Sequence, residues 1–507
     1  MTNELRVLID GQWREADAAS VFQAEDPSTG NRIDRVVPVS RWSDCDAALS
    51  AATKAAHELE QVPSEKIADF LDGYAASIDL NWKAPVYLAH EETGLPSKPR
   101  LAEVELPRTS DQLRQAAAAA RERSWRRVTV DRQRNLRSCL GPIGPVVIFG
   151  PNNFPFAYNA VCGGDFAAAI AAANPVIAKA HPLHPGTSLM LATMALPVIK
   201  KLNLPPAMVQ MIYHLEPETG LRLVSDPRVG AVAFTGSKAA GLALKEAADK
   251  AGRPIYLEMS SLNPVVFLPE GMKENTQKWA TELADSCTAG SGQFCTRPNL
   301  VFMIAGPASE PFLGQLAAAF KTREPHTMLA RLVRDHLNHS IAALHKAGAE
   351  IVTGGKNIDG PGYRHENTLL RVTGKTFLSA PGEFQREAFG NEVLAVTVAN
   401  DQELLEVLNH LEGNLTASIY SSTTGADEEL YNRLAPLLRR KSGRLLNDKM
   451  PTGVAVSPAM NHGGPYPSTG HPGWTAVGIP AAITRFTALQ CYDNVREERL
   501  PPCLREA

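Results

Sequence analysis

The sequence lacks the features that mark a membrane, disulfide-rich or nucleic-acid-binding protein. Among its 507 residues, 51 basic and 54 acidic side chains nearly balance, so no polyanionic partner is indicated. The seven cysteines form no Cys-x-x-Cys pair, which argues against a disulfide framework or zinc site and favours a reducing compartment. No uncharged run is long enough to cross a bilayer, and no signal-peptide core is present. We therefore expect a cytoplasmic protein with no membrane or nucleic-acid partner.

The sequence also contains no Gly-x-Gly-x-x-Gly after any apolar run, so the standard dinucleotide phosphate loop is missing. What is present is a series of short apolar runs separated by helical, Ala-rich stretches. This alternation is typical of a parallel sheet covered by helices, and therefore of the α/β class. The runs are Val146–Phe149, Val176–Lys179, Met208–Ile212, Val229–Phe234 and Ile255–Leu257.

A second alternating region extends from about residue 260 to 445, and a long loop follows it. Strands are expected near Val265–Phe267, Leu300–Ile304, Val393–Val398 and Thr416–Tyr420. Residues 451–480 are rich in Gly, Pro, Ser and Thr and predict ordered loops, which at that length are usually functional. The basic cluster 121–137 is interpreted as exposed strands with solvated charges.

Four residues are candidates for a catalytic or ligand-binding role, and each is also compatible with a purely structural role. Cys295 lies in a loop of small residues, where a thiol can be exposed and reactive. Glu258 ends an apolar run, at the edge where α/β folds assemble their sites. Asn153 follows the first strand and can donate to an oxyanion, and Ser237 after Gly236 can cap a helix that binds phosphate. A thiol and a carboxylate together can form and hydrolyse a thioester.

Six motifs that include these residues occur in the order found in the aldehyde dehydrogenase superfamily, and the resemblance covers almost the whole chain. Three further segments resemble the branch of 2,5-dioxopentanoate (α-ketoglutaric semialdehyde) dehydrogenases and NADP-linked fatty aldehyde dehydrogenases: Lys179–Ser188, Ser260–Pro264 and Met460–Pro467. The six ordered motifs are Phe149–Pro155, Lys179, Phe234–Ser237, Leu257–Glu258, Gly292–Thr296 and Glu387–Gly390.

The resemblance implies a role for each matching residue. Cys295 is the expected nucleophile, Glu258 the general base for water, and Asn153 with the Cys295 N–H the oxyanion hole. The expected cofactor contacts are Lys179 at the adenosine ribose, Gly236 and Ser237 at the pyrophosphate, and Glu387 and Phe389 at the nicotinamide ribose. No metal is expected, although His181 and His184 lie close in sequence. Because Glu258 activates water, hydrolysis is favoured over transfer to coenzyme A.

Two departures from the family pattern concern the cofactor. The carboxylate that often follows the ribose-binding lysine, where it accepts from the 2′-hydroxyl, is missing from Ala180–Pro182, so repulsion of a 2′-phosphate is relieved. We therefore expect NADP to be accepted and preferred, with NAD also possible. The usual Gly-rich turn after the third strand is replaced by Tyr213–Pro217, where His214 either stacks on adenine or fills space.

The resemblance also implies the architecture: a Rossmann-type cofactor domain, a second α/β catalytic domain and a small oligomerisation element. We place them at residues 1–121 with 143–259, at 260–479, and at 122–142 with 480–507. The last element is expected to make a homodimer or homotetramer.

The expected reaction is oxidation of an aldehyde to an acid, with 2,5-dioxopentanoate as the first substrate choice. A long-chain aldehyde is the alternative, and a catalytically silent member of the fold is a third. Arg297 is either a carboxylate anchor for the substrate or a surface residue.

Overall fold

A computed structural model describes residues 4–505, and two seven-stranded sheets form its framework. In the first sheet the five apolar runs predicted from the sequence all form parallel strands, and an N-terminal hairpin adds two antiparallel strands at one edge. In spatial order the strands are Ile255–Glu258, Ala231–Thr235, Val146–Phe149, Val176–Lys179, Val209–Ile212, Val7–Ile9 and Gln12–Arg14.

Two of these strands begin later than the apolar runs suggested. Met208 ends the 3-10 helix Pro206–Met208, so its strand begins at Val209. Val229 donates its N–H to the Asp226 carbonyl in a turn, and the strand begins at Ala231. In both cases a local turn uses the backbone groups that a strand would need.

The strand order reverses direction beside Val146–Phe149. The chain first adds Val176–Lys179 on one side of this strand and later adds Ala231–Thr235 on the other. The two loops that leave the carboxyl ends of Val146–Phe149 and Ala231–Thr235 therefore diverge to opposite faces and open a crevice. Such a switch point is where open α/β sheets bind ligands.

The second sheet is also parallel except for one edge strand, Glu350–Thr353, and both of its faces are buried. Alternate residues of one strand enter separate apolar clusters: Val265 and Phe267 lie on one face, Val266 on the other. This explains why its strands are continuously apolar. In spatial order they are Glu350–Thr353, Thr368–Thr373, Glu392–Val398, Leu300–Ile304, Val265–Phe267, Asn414–Tyr420 and Ser442–Asn447.

A small antiparallel sheet joins the predicted basic strands to the end of the chain. Thr487–Asp493 pairs along its whole length with Leu136–Pro142, which also pairs with Thr129–Asp131. Three short antiparallel strand pairs complete the list of strands: Ala18–Phe22 with Val37–Ser40, Glu25–Asp26 with Asn31–Arg32, and Asn357–Ile358 with Arg364–His365. The long segment between Asn447 and Ala481 contains no helix or strand within the part of the chain described here, as the sequence predicted.

Helices cover both large sheets, and among residues 4–505 none is both long and apolar enough to span a membrane. Those beside the first sheet are Trp42–Leu59, Ser64–Leu80, Lys83–Thr93, Leu106–Glu122, Gly164–Ala171, Pro185–Lys201, Pro217–Val224 and Lys238–Lys250, with a π-helical segment at Ser97–Glu105. Those beside the second are Pro269–Thr288, Ser309–Thr322, Arg331–Lys346, Gly374–Ser379, Pro381–Phe384, Asp401–Asn409 and Glu428–Lys441; Pro502–Arg505 follows the small sheet. The 3-10 turns are Ser124–Arg126, Pro206–Met208, Ala289–Gly292, Ala481–Phe486 and Glu497–Arg499.

Candidate active site

A cavity of about 830 Å³ lies at the carboxyl ends of the first sheet, between the two large sheets. It extends from the switch-point crevice to the loop that carries Cys295, whose side chain is partly exposed. All eight residues that the sequence proposed for catalysis and cofactor binding line this one cavity: Asn153, Lys179, Gly236, Ser237, Glu258, Cys295, Glu387 and Phe389. Residues spread over nearly half of the chain, from Asn153 to Phe389, are thus brought together at one place.

The buried side-chain amide of Asn263 fixes the loop that carries Cys295 by two hydrogen bonds. The Asn263 Nδ2 donates to the Cys295 carbonyl at 2.9 Å and to the Arg297 carbonyl at 2.8 Å. Gly292 has φ +69°, and a Cβ at this position would collide with the Gly390 carbonyl. The small residues before Cys295 are therefore required by the close approach of two backbone segments.

Cys295, Glu258 and His462 form a contact chain at the bottom of the cavity. The His462 Nε2 is 2.9 Å from Glu258 Oε1 and 3.5 Å from the Cys295 Sγ. Glu258 is the last residue of its strand and His462 lies in the long loop; both are almost fully buried. The other carboxylate oxygen of Glu258 is buried without a hydrogen-bond partner among residues 4–505, so it can accept a proton from water.

The surroundings of Cys295 keep its thiol protonated. Burial and the nearby Glu258 carboxylate raise the pKa of Cys295 well above its usual value, and the Arg108 guanidinium opposes them. A thiolate must therefore form by proton transfer to a neighbouring base rather than by free ionisation. The sulfur, imidazole and carboxylate ligand atoms lie within 4.8 Å of one another, a spacing that also suits a metal ion. A metal ion bound there would occupy the lone pair that the Cys295 sulfur needs for nucleophilic attack.

Asn153 and the Cys295 backbone are placed to meet an oxyanion. The Asn153 Nδ2 donates to the Gln293 carbonyl at 3.0 Å, which orients the amide towards the nucleophile loop and leaves its second hydrogen for a ligand. Among residues 4–505 the Cys295 N–H has no acceptor. Both donors are therefore available beside the sulfur.

At the other end of the cavity, the helix Lys238–Lys250 begins at Ser237. The Ser237 hydroxyl accepts from the Ala240 N–H at 3.3 Å and caps this helix. The Gly236 N–H donates to the Glu258 carbonyl and is not free to bind a phosphate. Gly236 instead leaves space for a ligand, because it has no side chain. An anion at this crevice meets the positive end of the helix dipole at close range.

Lys179 lies beside this crevice, and no carboxylate among residues 4–505 is within ion-pair distance of it. Burial lowers the pKa of its ammonium to about 8. His181 lines the same cavity, and burial together with Lys179 holds its pKa well below the usual value. Lys179 therefore supplies the positive charge at this end of the cavity, whereas His181 is a neutral imidazole.

Two of the histidines considered from the sequence lie in packing positions. The His184 Nε2 contacts the Pro151 carbonyl at 3.0 Å, and its ring stacks on His181 with centroids 5.2 Å apart. His214 packs edge-on against Phe22 at 6.0 Å and does not line the cavity.

The alternatives considered for Arg297 are both wrong, because its side chain is fully buried. It donates to the backbone carbonyls of Pro298 at 3.0 Å and Ala388 at 2.7 Å, and also to that of Glu392. The guanidinium thus joins the nucleophile loop to the segment that carries Glu387 and Phe389. A buried charge needs such partners, and three carbonyl dipoles supply them here.

Glu387 is partly buried, and its carboxyl lies beside the Ser260 side chain. Burial raises its pKa to about 7, whereas hydrogen bonds from Ser260 and the Ser261 backbone and the charge of Arg297 lower it. Close to neutral pH this group is thus easily converted between its two charge states.

Sequence reasoning missed the role of His462. The residue lies in Met460–Pro467, a segment that carries part of the resemblance, but no motif there indicates a catalytic role for it. The only signal was a histidine next to two glycines in a long loop. Because the loop has no regular structure, no periodicity indicated that it returns to the nucleophile.

The chain was compared with known proteins. The family model described as "Aldehyde dehydrogenase family" matches residues 13–464. Alpha-ketoglutaric semialdehyde dehydrogenase 2 of Azospirillum brasilense is 36% identical, covering 99% of this chain and 96% of that protein. The alpha-ketoglutaric semialdehyde dehydrogenase of Acinetobacter baylyi is 34% identical, covering 91% and 89%.

Solved structures show the same fold at lower sequence identity. Lactaldehyde dehydrogenase from Escherichia coli superposes with a TM-score of 0.84 at 21% identity, covering 96% of this chain and 98% of that one. A mutant of aldehyde dehydrogenase C from Pseudomonas syringae, solved with NAD+ and octanal, gives a TM-score of 0.82 at 19% identity, with 96% of each chain covered.

The contact of His462 with Cys295 and Glu258 leads to a prediction about thiol reactivity. With His462→Asn, the Glu258 carboxylate loses the Nε2–H donor that positions it to take the proton from the sulfur, so alkylation of Cys295 by iodoacetamide and kcat/KM for an aldehyde both fall by about 100-fold. Peptide mass spectrometry follows alkylation of Cys295 without substrate. His471→Asn is the matched control, because His471 is in the same loop but packs against Tyr256. An unchanged alkylation rate in His462→Asn contradicts the prediction.

Proposed function

The chain belongs to the aldehyde dehydrogenase family, and on this premise we propose that it oxidises 2,5-dioxopentanoate to 2-oxoglutarate through a thioester on Cys295. It is an oxidoreductase acting on aldehydes. The substrate proposal is supported by the two semialdehyde dehydrogenases that match at 36% and 34% identity over most of their lengths.

One observation carries the proposed mechanism: the sulfur of Cys295 and the carboxylate of Glu258 line a single cavity, and the imidazole of His462 contacts both. In the first step Glu258, oriented by the His462 Nε2–H, takes the thiol proton and passes it to solvent while Cys295 Sγ adds to the aldehyde carbon. The carbonyl π electrons move to oxygen, which Asn153 and the Cys295 N–H stabilise. One such donor is typically worth about 3 to 4 kcal/mol.

A nicotinamide cofactor, when bound, accepts the hydride that converts this adduct into a thioester. Glu258 then takes a proton from water, and the hydroxide attacks the thioester carbon. The bond between carbon and sulfur breaks, the acid leaves and Cys295 Sγ is protonated again. A carboxylate with one unpartnered buried oxygen is suited to bind and activate that water, which favours hydrolysis over transfer to another thiol.

The residues at the far end of the cavity fit a nicotinamide dinucleotide. Ser237 begins a helix whose dipole favours a pyrophosphate, and Lys179 is a cation without a carboxylate partner that suits the adenosine ribose. Glu387 and Phe389 line the part of the cavity that would receive the nicotinamide ribose. We propose NADP as the preferred form, because Lys179 supplies a positive charge at this end of the cavity and has no carboxylate of residues 4–505 within ion-pair distance.

We also propose roles for the three parts of the chain. Residues 1–121 and 143–259 would bind the cofactor, and residues 260–479 would carry the nucleophile. Residues 122–142 and 480–507 would join copies of the chain into a homodimer or homotetramer. The small sheet supports this last role, because its strand Thr487–Asp493 presents Leu489 with 72% of its surface exposed. With seven free cysteines, the reducing cytoplasm is the proposed location.

An aldehyde panel tests the proposed function. Purified protein is assayed by NADPH absorbance with 2,5-dioxopentanoate, a homologous series of straight-chain aldehydes and an aromatic aldehyde. We expect the highest kcat/KM for 2,5-dioxopentanoate, and no reduction of cofactor with any substrate in Cys295→Ala. A higher kcat/KM for a long-chain aldehyde would instead support the alternative substrate class, and no turnover of any aldehyde would support the silent form.

Replacing the general base separates thioester formation from hydrolysis. In Glu258→Gln we expect a burst of about one NADPH per active site, followed by turnover at least about 100-fold slower, because water loses its base. Stopped-flow absorbance measures both phases, and mass spectrometry detects acylated Cys295. Steady-state turnover at the wild-type rate would remove Glu258 from the mechanism.

The cofactor preference is tested by placing a carboxylate beside the ribose site. In His181→Glu we expect kcat/KM for NADP to fall by about 10-fold or more, with a smaller effect for NAD, because like charges repel at short range. His181→Gln has the same side-chain length without the charge and serves as the control. A wild-type kcat/KM for NAD far above that for NADP refutes the preference directly.

A further inference from the structure

Three guanidinium groups surround a small apolar cluster beside the loop that carries Cys295, outside the lining of the cofactor cavity. The cluster contains Phe154, Ala157, Tyr158 and Val477, with Phe294, Val454 and Met460 packed against it. The Arg100 guanidinium lies 4.6 Å from the Phe154 ring centre and that of Arg108 lies 5.3 Å from the Tyr158 ring centre. The Arg444 Nη1 is 3.7 Å from the Met460 Sδ.

Only one of these three charges is neutralised within residues 4–505. Arg100 forms an ion pair with the buried Glu105 carboxylate. Neither Arg108 nor Arg444 has a carboxylate within ion-pair distance; Arg108 donates to the Tyr158 hydroxyl at 3.0 Å and Arg444 to the Pro451 carbonyl at 2.9 Å. The Nε atoms of all three arginines are buried without an acceptor. Arg108 and Arg444 thus differ from Arg100 in lacking an anion, which is costly for a partly desolvated cation.

Both cations lie close enough to the reaction centre to act on it. Arg108 opposes the effect of burial on the pKa of the Cys295 thiol and on that of the Tyr158 hydroxyl. Burial lowers the pKa of Arg444, and ionisation of Cys295 or Tyr158 would oppose this. Tyr158 connects the groups spatially, because its ring centre is 5.9 Å from that of His462, whose Nε2 contacts the Cys295 sulfur.

We propose that Arg108, assisted by Arg444 and the Tyr158 hydroxyl, binds the carboxylate of a short ω-oxo acid whose aldehyde reaches Cys295. This inference rests on the proposed function and states where the acidic end of that substrate is recognised. A guanidinium matches a carboxylate in geometry and charge, and the Tyr158 hydroxyl adds a neutral donor. Arg297, the anchor considered from the sequence, is excluded by its three backbone partners.

The same charges discriminate against neutral aldehydes. An alkyl chain in this space would cover two guanidiniums without offering an acceptor, and so would leave buried donors unpaired. The apolar rings of Phe154 and Phe294 still contact the methylene groups of a short chain. The pocket therefore combines a hydrophobic wall for the middle of the substrate with a cationic end.

The test compares two substrates of equal length, 5-oxopentanoate and pentanal, which differ in one carboxylate. In Arg108→Met we expect kcat/KM for 5-oxopentanoate to fall by about 10- to 100-fold, mainly through KM, because a hydrogen bond to a charged group is lost. For pentanal we expect a clearly smaller fall, because Arg108 also opposes the rise in the pKa of the Cys295 thiol. Arg108→Lys keeps the charge without the planar fork and should lie between the two. Arg433→Met is the control, since Arg433 is a surface residue that contacts Asp401 at 3.4 Å.

The outcomes separate this inference from the proposed function. If the wild-type enzyme does not prefer 5-oxopentanoate or 2,5-dioxopentanoate to pentanal, the proposed substrate class fails and the subsite with it. If it does prefer the acids but Arg108→Met leaves that preference intact, or lowers kcat/KM equally for both substrates, only the subsite is refuted.

A second measurement needs no variant and serves if Arg108→Met does not fold. Glutarate carries the same carboxylate without an aldehyde, so it should inhibit pentanal oxidation by the wild-type enzyme competitively, and glutaramide should inhibit at least about 10-fold more weakly. Equal inhibition by glutarate and glutaramide would overturn the proposal.

Discussion

The buried guanidinium of Arg297 is the interaction on which the geometry of the active site depends. It lies between the nucleophile loop and the segment from Glu387 to Glu392, and its donors are shared among three backbone carbonyls. Since an unsatisfied buried polar group costs roughly 1–3 kcal/mol, neither segment can move without leaving several such groups unpaired. The position of Cys295 and the position of the proposed nicotinamide-ribose residues are therefore not independent.

Two other close contacts reinforce this coupling. Gly292 and Gly390 approach so closely that no side chain fits between them, and the Asn263 amide fixes the carbonyls on both sides of the nucleophile loop. Such constraints matter because catalysis by a thiol requires the attacking sulfur, the oxyanion donors and the hydride acceptor to be positioned within a fraction of an ångström. The loop is thus rigid for a physical reason, although it contains no regular secondary structure around Cys295.

The two sides of Cys295 differ in charge and lining. Towards the cofactor, the cavity has a helix N-terminus and a buried ammonium, which suit phosphate and ribose. Away from it, aromatic rings and uncompensated guanidiniums surround a smaller apolar cluster. The Glu258 and His462 pair lies where the two sides meet, so one proton-transfer unit can serve both the attack of the thiol and the later attack of water.

The sequence by itself determined the α/β class and nine of the fourteen strands of the two large sheets, because short apolar runs are local signals. Its ordered motifs also named eight residues that the structure brings to one cavity. It did not reveal His462, the burial of Arg297, or the unpaired charges of Arg108 and Arg444. Each of these depends on which distant segment packs against the side chain: a histidine in an irregular loop, or an arginine on a helix, looks the same whether solvent or a carbonyl faces it. Only the tertiary structure decides that, because burial and the choice of hydrogen-bond partner arise from contacts between residues far apart in the chain.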